Sequence, residues 1–169
     1  MIINDLNRYS KSLLSKIKIF LVSPSFHIVL LYRLSNLFIK IPIVGNILGL
    51  IVEYINRILY GVDISRYAKI DTGFMVVHGM GIVIGDSVNI GKNCKIFNSV
   101  NLGNKDTEIS DNKQPTIGSN VVIGAGAKCL GDIKIGNNVI VGANAVVITD
   151  IEDDSIVVGI PAKSIKKRN

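Results

Sequence analysis

The chain has 169 residues, 48% of them hydrophobic, which is enough for one domain with an appendage and a buried core. It has no tryptophan, 6% aromatic residues and 16 glycines, so we predict tight turns and small aliphatic side chains rather than a core of aromatic rings. Two cysteines and two histidines are too few for a disulfide scaffold or a three-histidine zinc site, so we expect no metal and a reducing compartment.

The net charge of +6 comes mostly from residues 1–60, which hold seven Lys and Arg against two acids. A basic, apolar segment of this kind favours an anionic partner or a membrane surface. We expect no nucleic-acid partner, because the basic residues carry no known binding motif and are not interleaved with aromatics. The start of the chain lacks the pattern of a signal peptide, so we expect a cytoplasmic protein.

Residues 1–60 form the first predicted unit, a helical segment. Apolar spacing predicts one helix that ends before Pro24, a second over residues 26–40 capped by Ser25, and a third from Pro42 to Tyr60. The longest run in this segment without a charged residue or histidine, 41–52, is shorter than the roughly 20 residues that span a bilayer. Two interpretations remain open: packing within an oligomer, or peripheral contact with the inner face of the cytoplasmic membrane. His27 in this segment is interpreted as structural.

Residues 61–162 form the second predicted unit, which carries aliphatic side chains at intervals of six. A six-residue period sustained over about a hundred residues predicts a parallel β-solenoid whose coils bury their interiors only against neighbouring coils. Gly and Asn are expected at the corners, where positive φ is needed. The in-phase positions are Ile64, Ile70, Val76 and Ile82; then Ile84, Ile90, Ile96 and Leu102; then Ile117, Ile123, Cys129, Ile135, Val141 and Val147.

The six-residue period is interrupted at two places. Residues 103–116 are polar and contain no repeat, so we predict a protruding loop, and loops on rigid scaffolds often carry recognition. A two-residue shift follows His78, where a bulge is expected to set that side chain apart from the regular wall. Residues 163–169 form a basic tail.

His78 and Asp63 are the candidate catalytic pair. An imidazole that titrates near neutrality can take a proton from a hydroxyl, and a carboxylate on its other nitrogen fixes the tautomer. The two residues are 15 apart, which on coils of about 18 residues places them on adjacent coils near one edge. A structural histidine at a corner is the alternative.

The motifs of residues 61–162 resemble those of the serine acetyltransferase branch of the left-handed β-helix, hexapeptide-repeat acyltransferases. They occur in order as VDI, KI, HG-x-GIVIGD, P-x-IG, IGAGAK-x-LGDI, VGANAVV and VVGIPAK. The resemblance implies a mainly β fold, a left-handed parallel β-helix with a short N-terminal helical segment. It also implies acetyl-CoA as donor and a homotrimer with active sites between subunits, and it leaves open a higher assembly.

The same resemblance assigns roles to individual residues. It implies His78 and Asp63 as the catalytic pair, and it places Gly103, Ala125 and Ala143 along the CoA groove, with Lys163 near the CoA phosphates. Small side chains suit a groove wall on which a pantetheine arm lies.

This chain departs from the family where the amino acid substrate is held. Val77 stands in place of the usual acid before the histidine, and Lys113 and Gln114 replace an Arg-His pair. A carboxylate and an ammonium need charged partners, so these departures favour a neutral acceptor. The character of the chain is then closest to the O-acetyltransferases of capsule, exopolysaccharide or O-antigen pathways. A carbohydrate hydroxyl, on a small-molecule or lipid-linked acceptor, would be bound by Asn98, Asn101, Lys113 and Gln114.

Two alternatives stay open. One is serine O-acetyltransferase of cysteine biosynthesis. The other is a non-catalytic solenoid that serves as an assembly or membrane-docking module. In the enzymatic interpretations, His78 activates the hydroxyl, which attacks the thioester directly. No acyl-enzyme is expected, because Cys94 and Cys129 occupy inward-pointing positions.

Overall fold

The computed structural model describes residues 1–105 and 113–167, and within them the chain forms four helices followed by fifteen strands. The helices are α1 (Ile2–Tyr9), α2 (Leu13–Val22), α3 (Pro24–Phe38) and α4 (Val44–Tyr60). The first predicted helix is therefore two helices, because Ser10 and Ser12 adopt extended backbone between them. The N-cap of α3 is Ser23 rather than Ser25: its side chain accepts a hydrogen bond from the Phe26 N–H, and Pro24 opens the helix.

The strands wind into a three-sided solenoid. The first sheet has the order β1-β4-β7-β10-β13, the second β11-β8-β5-β2, and the third β15-β14-β12-β9-β6-β3. All neighbours pair in parallel except β14 and β15. The strands are β1 (Asp63–Ile64), β2 (Lys69–Ile70), β3 (Met75–Val77), β4 (Val83–Ile84), β5 (Asn89–Ile90), β6 (Lys95–Phe97), β7 (Asn101–Gly103), β8 (Thr116–Ile117), β9 (Val122–Ile123), β10 (Lys128–Leu130), β11 (Lys134–Ile135), β12 (Ile140–Val141), β13 (Val146–Val147), β14 (Ser155–Val158) and β15 (Lys163–Lys167).

The core of the solenoid is the column of in-phase residues that the sequence predicted. Ile64, Ile84, Leu102, Cys129 and Val147 occupy successive strands of the first sheet, and all are buried. The predicted mainly β fold, a parallel β-solenoid with N-terminal helices, is confirmed and is consistent with a left-handed β-helix.

Corner residues explain the polar half of the repeat. Asn93, Asn120, Asn138 and Asp154 all have φ near +58°, a conformation that Asn and Asp tolerate better than most residues. Their side chains stack along one edge: Asn120 Nδ2 donates to Asn138 Oδ1 at 3.1 Å, and Asn138 Nδ2 donates to Asp154 Oδ1 at 2.9 Å. Half of the predicted loop at 103–116, residues 106–112, lies outside the described residues, between the end of β7 and the start of β8.

A buried ion pair attaches the helices to the first coil. Arg33 of α3 donates through Nε to Asp5 of α1 at 2.9 Å, and its other nitrogens donate to the carbonyls of Ile70 and Asp71. Asp5 also accepts the N–H of Phe74 at 2.9 Å. This network fixes α1 and α3 against the end of the solenoid that carries His78.

Candidate active site

The residues of interest converge on the edge where the third sheet turns into the first, called here the His78 edge. It comprises residues 78–81, 98–99, 125–126 and 143–144 on four successive coils. Backbone hydrogen bonds stack these corners: Ser99 N–H to Met80 O at 2.7 Å, Gly126 N–H to Asn98 O at 2.9 Å, and Asn144 N–H to Ala125 O at 2.8 Å. The chain therefore presents one continuous straight wall from His78 to Ala143.

His78 projects from this wall because its coil is two residues longer than the coil that follows. Asp63 pairs with Val83, twenty residues on, whereas Val83 pairs with Asn101, eighteen residues on. The extra length is taken up by a tight turn in which His78 has a φ of 52° and its carbonyl accepts the Met80 N–H. The imidazole is consequently exposed to solvent.

Gly79 allows this turn to lie close to the helices. A Cβ at that position would lie 2.5 Å from Val76 Cγ1 and 2.6 Å from Ile28 Cδ1 of α3, which is closer than real side chains approach. Glycine is required here because the backbone itself fills the space between solenoid and helix.

A groove of about 710 Å³ opens beside His78. The ends of α3 and α4 form one wall, and the solenoid forms the other. Its lining is mostly apolar, so water has few partners next to the imidazole. The lining residues are Pro24, Ser25, Ile58, Leu59, Tyr60, Gly61, His78, Gly79 and Met80.

Asp63 lies at the same edge as His78 but has another partner. Its N–H donates to Ile82 O at 2.8 Å, so the segment after His78 runs alongside it. Its carboxylate forms an ion pair with Arg57 of α4, with Nη2 and Oδ1 2.5 Å apart, and this hydrogen bond raises the pKa of the Arg57 guanidinium. None of the hydrogen bonds among the described residues joins Asp63 to His78.

Two of the four predicted cofactor residues belong to the His78 edge. Ala125 and Ala143 are adjacent on it, and neither is buried. Lys163 follows a segment that is bonded to Val146 of β13, the strand after this edge, since Gly159 O accepts the Val146 N–H at 3.0 Å and Ala162 N–H donates to Val146 O at 2.8 Å. Gly103 lies elsewhere: it ends β7 opposite Leu130, at the far side of the first sheet.

Of the predicted substrate residues, some lie at the His78 edge and others lie at a different edge of the solenoid. Asn98 lies on the His78 edge, and Asn101 begins the strand that follows it. Gln114 lies at a different edge, where it accepts the Ser87 N–H at 3.2 Å and donates to Asp86 at 3.2 Å. Lys113 is 3.7 Å from the carboxylate of Asp132. One copy of the chain does not bring Lys113 or Gln114 to His78.

Sequence reasoning missed the contribution of the helices to the groove. Glu53 and Arg57 lie four apart on α4, but Glu53 pairs with Arg66 at 2.8 Å, which leaves Arg57 for Asp63. Lys128 was also missed: it is exposed beside the His78 edge, with Nζ 3.2 Å from Gly126 O. The solenoid period could have revealed Lys128, whereas the Arg57 contact depends on how the helices dock.

The remaining reactive side chains are not arranged for chemistry. Cys94 and Cys129 are buried, and burial raises the pKa of their thiols to about 11 and about 12. His27 contacts the Tyr60 hydroxyl at 3.1 Å and the Phe20 carbonyl at 2.7 Å. Among residues 1–105 and 113–167, no group of three or more His, Cys, Asp or Glu side chains could hold a metal ion.

Comparison with known proteins supplies the family. Residues 114–149 match the family model described as bacterial transferase hexapeptide (six repeats). The chain is 38% identical over 153 residues to a serine acetyltransferase of Helicobacter pylori, covering 90% of this chain and 88% of that protein. It is 37% identical over 151 residues to the serine acetyltransferase of Synechococcus elongatus, of which it spans only 60%. A Brucella abortus serine acetyltransferase solved with coenzyme A superposes with a TM-score of 0.89 at 25% identity, covering 99% of this chain and 67% of that one.

These relatives correct the predicted polysaccharide O-acetyltransferase character, which is wrong. The prediction depended on Lys113 and Gln114 replacing an Arg-His pair, yet in this chain Gln114 holds the turn at Asp86 and Ser87 rather than the surroundings of His78. The departure at Lys113 and Gln114 is therefore not evidence for a carbohydrate acceptor. With 38% identity across most of a curated serine acetyltransferase, the chain belongs to the serine acetyltransferase family of hexapeptide-repeat transferases.

Proposed function

We propose that this protein transfers the acetyl group of acetyl-CoA to the hydroxyl of L-serine. The observation that carries the proposal is the match to the Helicobacter pylori serine acetyltransferase, which extends over 88% of that protein and not over the repeats alone. The position of Ala125 and Ala143 on the His78 edge, where neither small side chain is buried, supports it.

His78 acts as the general base. Its imidazole takes the proton from the serine hydroxyl as that oxygen attacks the thioester carbonyl. The tetrahedral intermediate collapses by breaking the C–S bond, and the proton returns from the imidazolium to the departing CoA sulfur. Asp63 orients His78 after exchanging its contact with Arg57 for the imidazole N–H. Because the groove is mostly apolar, charge interactions inside it are stronger than in water.

Acetyl-CoA would lie along the His78 edge. Three steps of strand spacing separate the corner after His78 from the corner at Ala143, about 14 Å. Small side chains at Ala125 and Ala143 leave room for the pantetheine arm, and Lys163 one coil further on is placed for the phosphates. Gly103 would contribute to a CoA groove only from another copy of the chain.

The active form would be a homotrimer. His78 and Gln114 lie on different edges of one solenoid, and a neighbouring copy packed side by side could bring Lys113 and Gln114 toward His78. Lys113 would then supply a cation for the serine carboxylate, as an arginine does in the family pattern.

Contact of residues 1–60 with a membrane surface also belongs to the proposal. Within the described residues no single helix is long and apolar enough to cross a membrane, and α2 and α3 pass that test only as a pair bent by 75°. The seven basic side chains of this segment against two acids favour an anionic lipid surface.

Thiol release from acetyl-CoA tests the proposed activity. The purified full chain is assayed with L-serine, with a panel of sugars and without acceptor, beside His78→Ala and the control Lys92→Ala, an exposed residue remote from the His78 edge. We expect turnover with serine only, lowered roughly 100- to 10,000-fold by His78→Ala. Equal rates for wild type and His78→Ala would instead support a non-catalytic module.

A further inference from the structure

Helix α4 is built with its apolar side outward. Its buried residues are Gly45, Gly49 and Asn56, which are small or polar, whereas the large aliphatic side chains face away from the protein. The residues on this outer face, called here the α4 face, are Val44, Ile47, Leu50, Ile51, Tyr54, Ile55, Ile58 and Leu59, which are 39–63% exposed. A helix that packs on a soluble core shows the opposite arrangement.

The contact between α3 and α4 explains why small residues face inward. A Cβ on Gly45 would lie 2.0 Å from the carbonyl oxygen of Phe38, and one on Gly49 would lie 3.0 Å from that of Ser35. The two backbones therefore touch along a small-xxx-small stripe. This mode of packing is typical of helices whose outer sides face lipid, since burial of large side chains between helices gains nothing there.

Helix α2 extends the same apolar surface. None of its ten residues is buried, and Leu13, Leu14 and Leu21 are 66–79% exposed. One protein contact covers a single stripe of a helix, whereas eight of the ten residues of α2 are exposed, so an apolar medium would cover more of this surface than one partner helix.

The charges next to this surface favour lipid over a second copy of the chain. Both acids of residues 1–60 are engaged, Asp5 with Arg33 and Glu53 with Arg66. Lys11, Lys18 and Lys40 are exposed. A two-fold contact between copies through α2 would bring like charges together, whereas anionic headgroups would meet opposite charge.

We propose that the α4 face and α2 insert into the interfacial layer of an anionic bilayer, with the solenoid held in water above it. This specifies the membrane contact proposed above and does not depend on acetyl transfer. Because Ile58 and Leu59 also line the groove of His78, the seated protein would open its groove at the membrane surface.

The absence of tryptophan from the sequence makes a direct test simple. Leu50→Trp places a sole tryptophan on the α4 face, and Ile165→Trp places one on β15 of the solenoid, where the native side chain is 64% exposed. With vesicles of phosphatidylcholine and phosphatidylglycerol, we expect a blue shift and quenching by brominated lipid for Leu50→Trp only. Flotation with the same vesicles should fall at least about tenfold in Ile47→Glu/Leu50→Glu and be unchanged in Ile165→Glu.

Folding and self-association are checked on the same samples. Since Ile47 and Leu50 are 61% and 54% exposed, the double variant should keep the melting temperature of the wild type, and Leu14→Glu repeats the test on α2. Absence of flotation of the wild type with anionic vesicles, or equal flotation of the double variant, overturns the proposal. The proposal is also overturned if the wild type binds no vesicle and its oligomer has a larger mass than that of Ile47→Glu/Leu50→Glu. That result would assign the α4 face to self-association. Serine-dependent thiol release without vesicles is measured separately, so failure of docking is distinguishable from failure of the proposed activity.

Discussion

Replacement of Asp5 by Asn should detach the helices from the solenoid. The Arg33 side chain is 4% exposed and that of Asp5 is fully buried, so the variant leaves a buried guanidinium without its counter-charge. It also weakens the bond from the Phe74 N–H, now 2.9 Å from the Asp5 carboxylate. The carbonyls of Ile70 and Asp71 still accept from Arg33 but carry no charge.

Removing one partner of a buried ion pair lowers the free energy of unfolding by about 3–5 kcal/mol. For a chain of this size each kcal/mol lowers the melting temperature by roughly 2–4 °C, so the expected fall is roughly 6–20 °C. Urea unfolding followed by helical circular dichroism is the assay, with Asn4→Ala on the same helix as the control, since Asn4 is exposed. A loss below about 1 kcal/mol, comparable to an exposed pair, would refute the assigned role of this network.

Three further predictions concern the His78 edge and the core. Arg57→Gln releases the Asp63 carboxylate from its ion pair and leaves it free to orient His78, so kcat/KM should rise. Ala143→Leu should raise KM for acetyl-CoA at least about tenfold with little change in KM for serine, whereas Lys69→Leu on the second sheet should change neither. Burial raises the pKa of both thiols to about 11–12, above the unfolded value of about 8.5. The free energy of unfolding should therefore be fully retained below that pH and decrease as the pH rises toward 11, measured by urea titration.

Each of these predictions has a contradicting result. An unchanged kcat/KM in Arg57→Gln means that the ion pair is irrelevant to His78. Equal KM values for acetyl-CoA in Ala143→Leu and Lys69→Leu place the donor elsewhere. Rapid reaction of both cysteines with a thiol reagent in the folded protein contradicts their burial.

The six-residue period predicted the solenoid because its physics is local. Each aliphatic residue specifies one inward position, and each corner Asn or Gly specifies one positive φ. The repeat can therefore be recognised without knowing which distant residues contact each other. The two-residue shift after His78 likewise predicted the turn that sets the imidazole apart. Positions such as Asn98, Ala125 and Ala143 stack on one edge because strand pairing keeps the corners in register, even across the longer coil that carries the loop.

Features that depend on docking could not be predicted in this way. The break at Ser10 follows from the docking of α1 on the solenoid, where the Tyr9 hydroxyl donates to Val76 O, and the partners of Glu53 and Arg57 follow from where α4 ends. The placement of Gln114 depends on the turn at Asp86. The acceptor prediction was wrong because it was drawn from the residue types at Lys113 and Gln114, whose place in the fold the sequence does not show.

Direct identification of the product tests the central claim most directly. The full chain is incubated with isotope-labelled acetyl-CoA and L-serine, and the products are followed by nuclear magnetic resonance, with His78→Asn as the matched variant. We predict labelled O-acetylserine formed at the same rate as free CoA, and its loss in His78→Asn. Release of CoA without labelled O-acetylserine, or equal product from His78→Asn, would contradict the proposed function.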